Sequence, residues 1–378
     1  MTAFEPTIEA ARRFAEETLA PNASAWETVG RLPDDFFARA GAVGLLGVEV
    51  SPALGGAGAG FATKAAICEI LAGADFGAAM ALVNSHNVAK KIADSASPEI
   101  AAAYVPDLVR GTRIGCTALT EPHAGSDFAA IETRAHVCEG GWRLTGRKAW
   151  IVNGTRADTL VVYAQTKAPG DASGIAAFLV DARRDGVKDR WSSGAFGLHS
   201  CGAGDFRLDA CFVAEAALLG APGSAFKAIL SEINGARIYV AAMCCGMVAQ
   251  ALRIATAWGT KRSTFGKPLR AHQAWRFALA EAATDLAGAR ALVAAAAAAF
   301  DAGRDVQLCA AQAKILAVRI AQKRLPEILH AMGAEGLKTA YPFGRHLVGA
   351  QIAGLVDGST EMLLERVAKL AVPDIAKG

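Results

Sequence analysis

The stretch from Thr117 to Asp127 reads Thr-Ala-Leu-Thr-Glu-Pro-His-Ala-Gly-Ser-Asp. Its apolar beginning is typical of a strand, and Pro122 ends that strand in a turn of small and hydroxylic residues. Such a turn exposes backbone N–H groups and hydroxyls together, which suits the pyrophosphate and ribityl oxygens of a dinucleotide. On local physics alone an ordinary strand-ending turn fits equally well, so the interpretation depends on the rest of the chain.

Three further motifs follow downstream, and each is weak alone. They read Arg-Lys-Ala-Trp-Ile-Val-Asn-Gly at Arg147–Gly154, Lys-Arg-Ser-Thr-Phe-Gly-Lys-Pro-Leu at Lys261–Leu269 and Val-Asp-Gly-Ser-Thr-Glu at Val356–Glu361. Together with the first stretch, and in this order, they resemble the acyl-CoA dehydrogenase family of FAD flavoproteins. The resemblance runs from about Thr7 to Lys369 and implies FAD as the cofactor.

Length and composition agree with a small-molecule enzyme. A chain of 378 residues is too long for one compact core, so two or three subdomains are expected. Lys and Arg number 39 against 36 Asp and Glu, and a net charge of +3 gives no electrostatic case for nucleic acid as a partner. The eight cysteines form no Cys-x-x-Cys pair and lie in apolar runs, which indicates buried thiols in a reducing compartment and no metal site.

The N-terminal segment lacks a basic region followed by an apolar run, and it carries Glu5, Glu9, Glu16 and Glu17. A signal or transit peptide is therefore not expected, and the predicted location is cytoplasmic. Ala291–Phe300 is rich in alanine but too short to span a bilayer, so we predict no membrane association.

The sequence pattern changes twice along the chain, from helical to β-rich and back. Helical periodicity opens the chain over Thr7–Leu19, and Pro21 is expected to end that helix. Further helices are predicted at about 61–73, 76–94 and 98–110, and Ser97 and Pro98 are expected to open the last one. The predicted strands are 113–119, 131–138, 141–148, 158–165, 174–181 and 205–213, a spacing typical of an antiparallel β domain. The later predicted helices are about 222–258, 271–301 and 305–333, with a shorter one after Ser359.

These patterns predict an N-terminal α-helical domain over 1–112, a β-barrel-like domain over 113–218 and a helical bundle over 219–378. The resemblance implies the same α+β fold, with a helical N-terminal domain, a middle antiparallel β domain and a C-terminal four-helix bundle. It also implies a homotetramer or homodimer. Long alanine-rich helices with more than one apolar face likewise favour a bundle that packs against other subunits.

The resemblance assigns FAD contacts to all four motifs, to Gln273 and to the glycine-rich segment that begins at Met332. The residues so assigned are Thr117, Leu119, Thr120, Gly125, Ser126, Trp150, Ile151, Val152, Arg262, Thr264, Phe265, Gln273, Met332, Gly333, Ser359 and Glu361. Trp150 and Ile151 match residues along the flavin, where a flat aromatic ring can shield it from water. Val152 departs from the family pattern, in which a threonine or serine hydrogen-bonds flavin N5, so backbone or water would have to make that contact.

The segment containing Arg262 lies between two long helices. In the family, the matching loop reaches the FAD of a neighbouring subunit, and an arginine fork there would pair with pyrophosphate. The alternative is an arginine whose aliphatic stem covers a helix end.

Dehydrogenation of a thioester requires a base that removes the α-proton while the β-hydrogen leaves as hydride to flavin N5. In the family, a Tyr-Glu-Gly-Thr segment supplies a glutamate, and the matching segment here is Val356–Ser359. It places Asp357, one methylene shorter, at the position of the base. Some family members, including nitroalkane oxidase, use aspartate there. We therefore predict Asp357 as the base, with a cap of the helix near Ser359 as the alternative.

The residues assigned to the substrate are Ser126, Arg237, Val356 and Gly358. Arg237 matches an arginine near the thioester or pantetheine, with a buried structural ion pair as the alternative. Some branches of the family place the base just before this arginine, but Ala236 cannot act as one. Because Val356 and Gly354 are small, the pocket is expected to be wide enough for branched, cyclic or functionalised acyl groups.

The leading hypothesis is an acyl-CoA dehydrogenase of fatty acid metabolism that passes electrons to an electron-transfer flavoprotein. One alternative keeps the chemistry but takes the acyl group from an acyl carrier protein in biosynthesis. A second is a flavin oxidase of the nitroalkane oxidase type, which Asp357 and Val152 favour. A third is a binding protein that holds FAD without catalysis.

Overall fold

The structure is a computed structural model that describes residues 4–372. Residues 1–3 and 373–378, which belong to the predicted outer domains, lie outside this range. The described chain divides into two compact units, and neither is continuous in sequence. The first contains residues 4–10, 29–60 and 80–232, and the second contains 11–28, 61–79 and 233–372. The domain limits at 112 and 218 stay predictions.

The order of elements is helical, then β, then helical, which confirms the predicted α+β fold. The α-helices are α1 Glu5–Arg13, α2 Ala20–Val29, α3 Phe36–Ala42, α4 Phe61–Ala74, α5 Phe76–Ser95, α6 Pro98–Arg110, α7 Ala225–Lys261, α8 Gln273–Asp301, α9 Gln307–Met332, α10 Phe343–Ala353 and α11 Thr360–Ala371. The strands are β1 Gly115–Ala118, β2 Arg134–Cys138, β3 Gly141–Ile151, β4 Thr159–Gln165, β5 Ile175–Asp181, β6 Val187–Ser192, β7 Gly204–Ala214, β8 Leu218–Gly220, β9 Ser263–Thr264 and β10 Lys267–Pro268.

The sheet of the first unit has the strand order β6-β7-β3-β2-β4-β5-β8, with β1 paired to β4. Most neighbouring strands are antiparallel, as predicted, while the β1–β4 and β2–β4 pairs are parallel. Strand β4 is buried along its whole length, so its residues are mostly apolar and do not alternate with polar ones. Strands β6 and β8 were not predicted, because β6 is mostly exposed and polar and β8 is only 3 residues long.

Helix α6 ends where the sequence predicts. The Ser97 hydroxyl accepts a hydrogen bond from the Ile100 N–H at 3.4 Å, and Pro98 takes the first helical position. Gly111 ends the helix at φ +72°, a left-handed conformation that glycine adopts without a steric penalty. This helix lies directly before β1, so its end fixes where the sheet begins.

The expectation that Pro21 ends the first helix was wrong, because α2 runs through it. A π-helical turn over Phe14–Leu19 separates α1 from α2, and the Ala20 N–H bonds to the Ala15 carbonyl five residues back. A proline inside a regular α-helix removes one donor and clashes with the carbonyl four residues earlier. The wider π turn directly before Pro21 changes that spacing, so the helix continues.

Helices α4 and α7 approach closely in the second unit. A Cβ added to Gly246 would lie 1.9 Å from the carbonyl oxygen of Glu69, so this crossing requires glycine. The first N–H groups of α4 are capped from a distant part of the chain, because Phe61 and Ala62 donate to the Asp301 carboxylate at 2.6 and 2.9 Å. Helix α10 was not predicted.

Among residues 4–372, two helices, α7 and α8, are long and apolar enough to cross a membrane by length and composition. In α7, 72% of the apolar window is buried within the structure, and in α8 the share is 33%. A buried core helix passes the same test, so this observation alone is weak evidence for a membrane span.

Candidate functional site

The turn after β1 is built on a buried carboxylate. Glu121 and Ala124 exchange backbone hydrogen bonds of 3.1 Å, which closes the turn. The Glu121 side chain points inward, where it accepts hydrogen bonds from the N–H groups of Glu132 at 2.7 Å and Thr133 at 3.0 Å. The buried Glu121 carboxylate therefore holds the turn within Thr117–Asp127 in a fixed conformation.

Lys148 of β3 completes this support. Its Nζ lies 2.7 Å from the Glu121 carboxylate and also donates to the carbonyl of Leu119 at 3.0 Å. Burial lowers the pKa of Lys148 to about 8, against the opposing effect of Glu121. For Glu121, desolvation acts to raise the pKa, but Lys148 and the hydrogen bonds outweigh it and the pKa is lowered. The pair is thus ionic at neutral pH.

The end of β3 forms a second fixed corner in the same unit. Trp150 and Asn153 both have left-handed backbones, with φ of +58° and +61°. The Asn153 amide donates to the carbonyls of Ala81 at 2.9 Å and Gly115 at 3.0 Å, while its Oδ1 is buried without a hydrogen-bond partner. The Ala149 N–H donates to the carbonyl of Thr120 at 3.0 Å, so this corner and the turn after β1 are directly joined.

This part of the first unit fits a dinucleotide ligand. Trp150 leaves 57% of its surface exposed although it is a large aromatic residue. Within the described residues, the hydroxyls of Thr120 and Ser126 form no hydrogen bond with the protein and remain available to a ligand. A Cβ added to Gly125 would meet only Thr120 Cγ2, at 4.0 Å, so the space beside the turn is open. Exposed donors around an open aromatic face suit the oxygens and the flat ring of FAD.

The other residues assigned in this region have distinct environments. Thr117 is half-buried, and its N–H donates to Asn84 Oδ1 at 3.2 Å. Ile151 is buried and Val152 is half-buried. Both side chains are aliphatic, so neither can form a hydrogen bond. Leu119 is half-buried, and its carbonyl is used by Lys148.

The second unit contains Asp357, in the turn between α10 and α11. Asp357 and Gly358 both have positive φ, +53° and +94°. Aspartate is among the few residues other than glycine that adopt this conformation, and it is still less favourable than a regular backbone. The turn is therefore one that the surrounding structure has to hold in place.

Two buried cations surround the turn. Lys314 of α9, 1% exposed, donates to the carbonyls of Val356 and Gly358, the latter at 2.7 Å. Arg237 of α7 donates through Nε to the carbonyl of Asp357 at 3.0 Å and through Nη1 to Asn234 at 2.7 Å. The structure thus places the predicted residues Arg237, Val356, Asp357 and Gly358 together.

Burial and the nearby positive charges have opposite effects on the pKa of Asp357. Burial raises the pKa of Asp357, and the positive charges of Lys314 and Arg237 act in the opposite direction. Burial also lowers the pKa of Lys314 to about 8 and that of Arg237 to about 10. A carboxylate with a raised pKa binds a proton more strongly than an ordinary aspartate.

The cap of α11 is Ser359. Its φ and ψ of −60° and 160° are those of an N-cap residue, and its side chain accepts from the Met362 N–H at 3.4 Å. The alternative that Asp357 merely caps this helix therefore fails, because the cap position is already filled. Glu361 lies exposed in the first turn of α11.

The remaining assigned residues lie in other parts of the second unit. Arg262 follows α7 and is exposed, and no described residue pairs with its guanidinium group. The β9–β10 hairpin beyond it presents Phe265, which is 96% exposed, and Thr264, whose hydroxyl lies 3.2 Å from His272 Nε2. Gln273 begins α8 and is exposed, while Met332 and Gly333 end α9 with Met332 buried.

Lys148 and Lys314 are the structural residues that the sequence reasoning missed. Lys314 has apolar neighbours on both sides in Ala-Lys-Ile-Leu, and Lys148 directly precedes the apolar residues Ala-Trp-Ile. A solvated lysine is unusual in such surroundings. A charged residue within an apolar run was the available signal, but its partner could not be read from that run.

Comparisons with known proteins cover nearly the whole chain. Family models described as the acyl-CoA dehydrogenase N-terminal, middle and C-terminal domains match residues 5–112, 116–211 and 223–371. An acyl-CoA dehydrogenase of Bacillus subtilis is 32% identical over 93% of this chain and 93% of that protein. The human mitochondrial short-chain specific acyl-CoA dehydrogenase is 32% identical over 94% of this chain and 86% of that protein. The solved structure of butyryl-CoA dehydrogenase from Megasphaera elsdenii has a TM-score of 0.92 at 28% identity, covering 98% of this chain and 99% of that one.

Proposed function

We propose, since the chain belongs to the acyl-CoA dehydrogenase family, that it is an FAD-dependent oxidoreductase acting on CH–CH groups of acyl-CoA thioesters. Its reaction is α,β-dehydrogenation, in which a proton leaves the α-carbon and a hydride leaves the β-carbon. FAD supplies the acceptor for that hydride when it is bound.

Asp357 is the proposed base, and its environment is the observation that supports this role. The carboxylate sits on a turn of left-handed residues, and burial raises its pKa. A stronger base takes the weakly acidic α-proton of a thioester more readily. The positive charges of Lys314 and Arg237 oppose that rise and favour the ionised carboxylate, which is the form that can accept a proton.

The residues proposed to hold FAD in the first unit are the hydroxyl-bearing turn Thr117–Ser126 and Trp150–Val152. The Thr120 and Ser126 hydroxyls would donate to cofactor oxygens, and Trp150 would cover the ring. The Glu121–Lys148 pair holds this turn from beneath. The FAD contacts proposed in the second unit are Arg262, Thr264, Phe265, Gln273, Met332, Gly333, Ser359 and Glu361.

The proposed assembly and electron acceptor follow the family pattern. The exposed guanidinium of Arg262 and the exposed ring of Phe265 suit contact with a second copy of the chain, as a homodimer or homotetramer. Electrons would then pass to an electron-transfer flavoprotein. An acyl carrier protein in place of CoA remains the alternative carrier.

Two residues, Val152 and Asp357, favour a second candidate, a flavin oxidase. Val152 brings no hydroxyl to the position at which the family hydrogen-bonds flavin N5, and Asp357 replaces the usual glutamate. Turnover that consumes oxygen in the absence of any electron-transfer flavoprotein would support the oxidase and count against the dehydrogenase.

The test is an anaerobic spectrum of the purified yellow protein during addition of acyl-CoA thioesters of different chain length and branching. Loss of the flavin absorbance, with one enoyl-CoA formed per flavin, is expected for at least one thioester. A colourless protein that does not bind added FAD would contradict the proposal, as would a flavin that no acyl-CoA or acyl carrier protein thioester reduces.

A further inference from the structure

Three consecutive carbonyl groups in the turn after α10 are each bound by a buried cation. Lys314 binds the carbonyls of Val356 and Gly358, and Arg237 binds that of Asp357 between them. Lys314 belongs to α9 and Arg237 to α7, so the turn is tied to two helices that are far from it in sequence.

These hydrogen bonds stabilise the backbone conformation of the turn that contains Asp357. Asp357 has a left-handed backbone, which for a residue other than glycine is less favourable than the regular regions. Hydrogen bonds from charged donors are stronger than those from neutral donors. Lys314 donates to the carbonyl of the residue on each side of Asp357. Its removal would therefore break the hydrogen bonds of Val356 and Gly358 together.

We propose that Lys314 is a positioning residue for Asp357, which holds the left-handed turn so that the carboxylate is aimed at the α-proton of the substrate. This inference rests on the proposed role of Asp357 as the base. Lys314 itself touches main-chain carbonyls and is not assigned a proton-transfer step.

Lys314 has a second effect, through charge. The charged groups that act on Asp357 are Lys314 from α9 and Arg237 from α7, and both favour its ionised form. Arg366 of α11 acts on Arg237, and the Cys244 thiol of α7 acts on Lys314. Removal of the Lys314 charge leaves Asp357 with one cation in place of two, so the carboxyl should bind its proton at higher pH than in the unchanged protein.

The experiment compares Lys314→Met with Lys323→Met, which changes an exposed lysine on the same helix. Rapid mixing with the best acyl-CoA thioester gives the limiting rate of flavin reduction as a function of pH. A misaimed base is expected to slow reduction by on the order of 10²-fold in Lys314→Met. The acid limb of its pH profile should move to higher pH, while FAD content and thioester affinity stay close to those of Lys323→Met.

A crystal structure of Lys314→Met provides a readout that needs no turnover. It is expected to show Asp357 outside the left-handed region, or the carbonyls of Val356 and Gly358 turned away from α9. An unchanged turn, or a reduction rate and an acid limb within about twofold of Lys323→Met, contradicts the proposal. If Lys314→Met does not fold, Lys314→Gln, which removes the charge but keeps one donor, replaces it. Failure of both variants to fold would make Lys314 a requirement for stability and overturn its positioning role.

A double variant separates this inference from the proposed function. If Lys314 acts only through Asp357, Asp357→Asn with Lys314→Met reduces no more slowly than Asp357→Asn alone. If the rate losses of the two single variants multiply in the double variant, the positioning role of Lys314 is contradicted. If Asp357→Asn alone reduces at the wild-type rate, the proposed base fails instead, and the crystal structure still decides whether Lys314 holds the turn.

Discussion

Lys148 Nζ lies 2.7 Å from the carboxylate of Glu121, and the two side chains are 0% and 2% exposed. The residues are separated by 27 positions, one on the turn after β1 and the other on β3. An ion pair removed from water in this way adds little net stability, but the loss of one partner leaves a buried charge without compensation. The pair therefore makes the shape of the proposed cofactor turn depend on both residues.

Lys148→Met is expected to lower the free energy of unfolding by about 3–5 kcal/mol, because Glu121 is left buried and unpaired. It should also weaken FAD retention, since the turn loses its support. Urea unfolding and the flavin-to-protein absorbance ratio measure the two effects. Lys188→Met, at an exposed position of the same sheet, should change the stability by less than about 0.5 kcal/mol. Equal stability and equal FAD retention in the two variants would show that the Glu121–Lys148 pair does not support the turn.

Asp357→Asn keeps the size of the side chain but removes the proton acceptor. Flavin reduction by the true substrate is expected to slow by about 10²- to 10⁴-fold, while FAD and substrate still bind. Stopped-flow absorbance gives the rate, and a titration gives the affinity. Glu365→Gln, an exposed carboxylate on α11, serves as the control. Near-normal reduction by Asp357→Asn would move the search for the base to another carboxylate.

The pH dependence of flavin reduction follows from the environment of Asp357. Burial raises the pKa of this carboxyl above its ordinary value of 3.8, and only the ionised form can accept the α-proton. The rate is thus expected to be constant at high pH and to fall tenfold per pH unit below the folded pKa, with the midpoint above 3.8. The limiting rate of reduction measured across the pH range of folded protein tests this. A rate that stays flat down to the ordinary aspartate range would contradict the assignment.

Arg262→Ala is expected to lower FAD content and oligomer size together, because the proposed loop reaches the cofactor of a neighbouring subunit. Multi-angle light scattering and flavin absorbance on the same sample measure both. Arg304→Ala removes an exposed arginine outside the proposed site and should leave both unchanged. If Arg262→Ala matches that control, Arg262 is an ordinary surface residue at a helix end.

The sequence by itself determined the order of elements, because periodicity and turn residues act over a few positions. Ser97, Pro98 and Gly111 mark the ends of α6 correctly, since a cap requires only its own neighbours. The ordered motifs likewise identified the family, and the assignment of Asp357 as the base stays a prediction. The polar strand β6 and the short strand β8 had too little apolar pattern to be predicted.

Only the tertiary structure decided how the site is held. Lys148 meets Glu121, Lys314 meets the turn of Asp357, and Asp301 caps α4 across 240 positions. Each contact depends on where distant segments cross, and no local pattern encodes that. The same holds for Asp357, for which the sequence left a helix cap and a base as alternatives. In the fold Ser359 is the cap of α11, and Asp357 lies before it in a left-handed conformation.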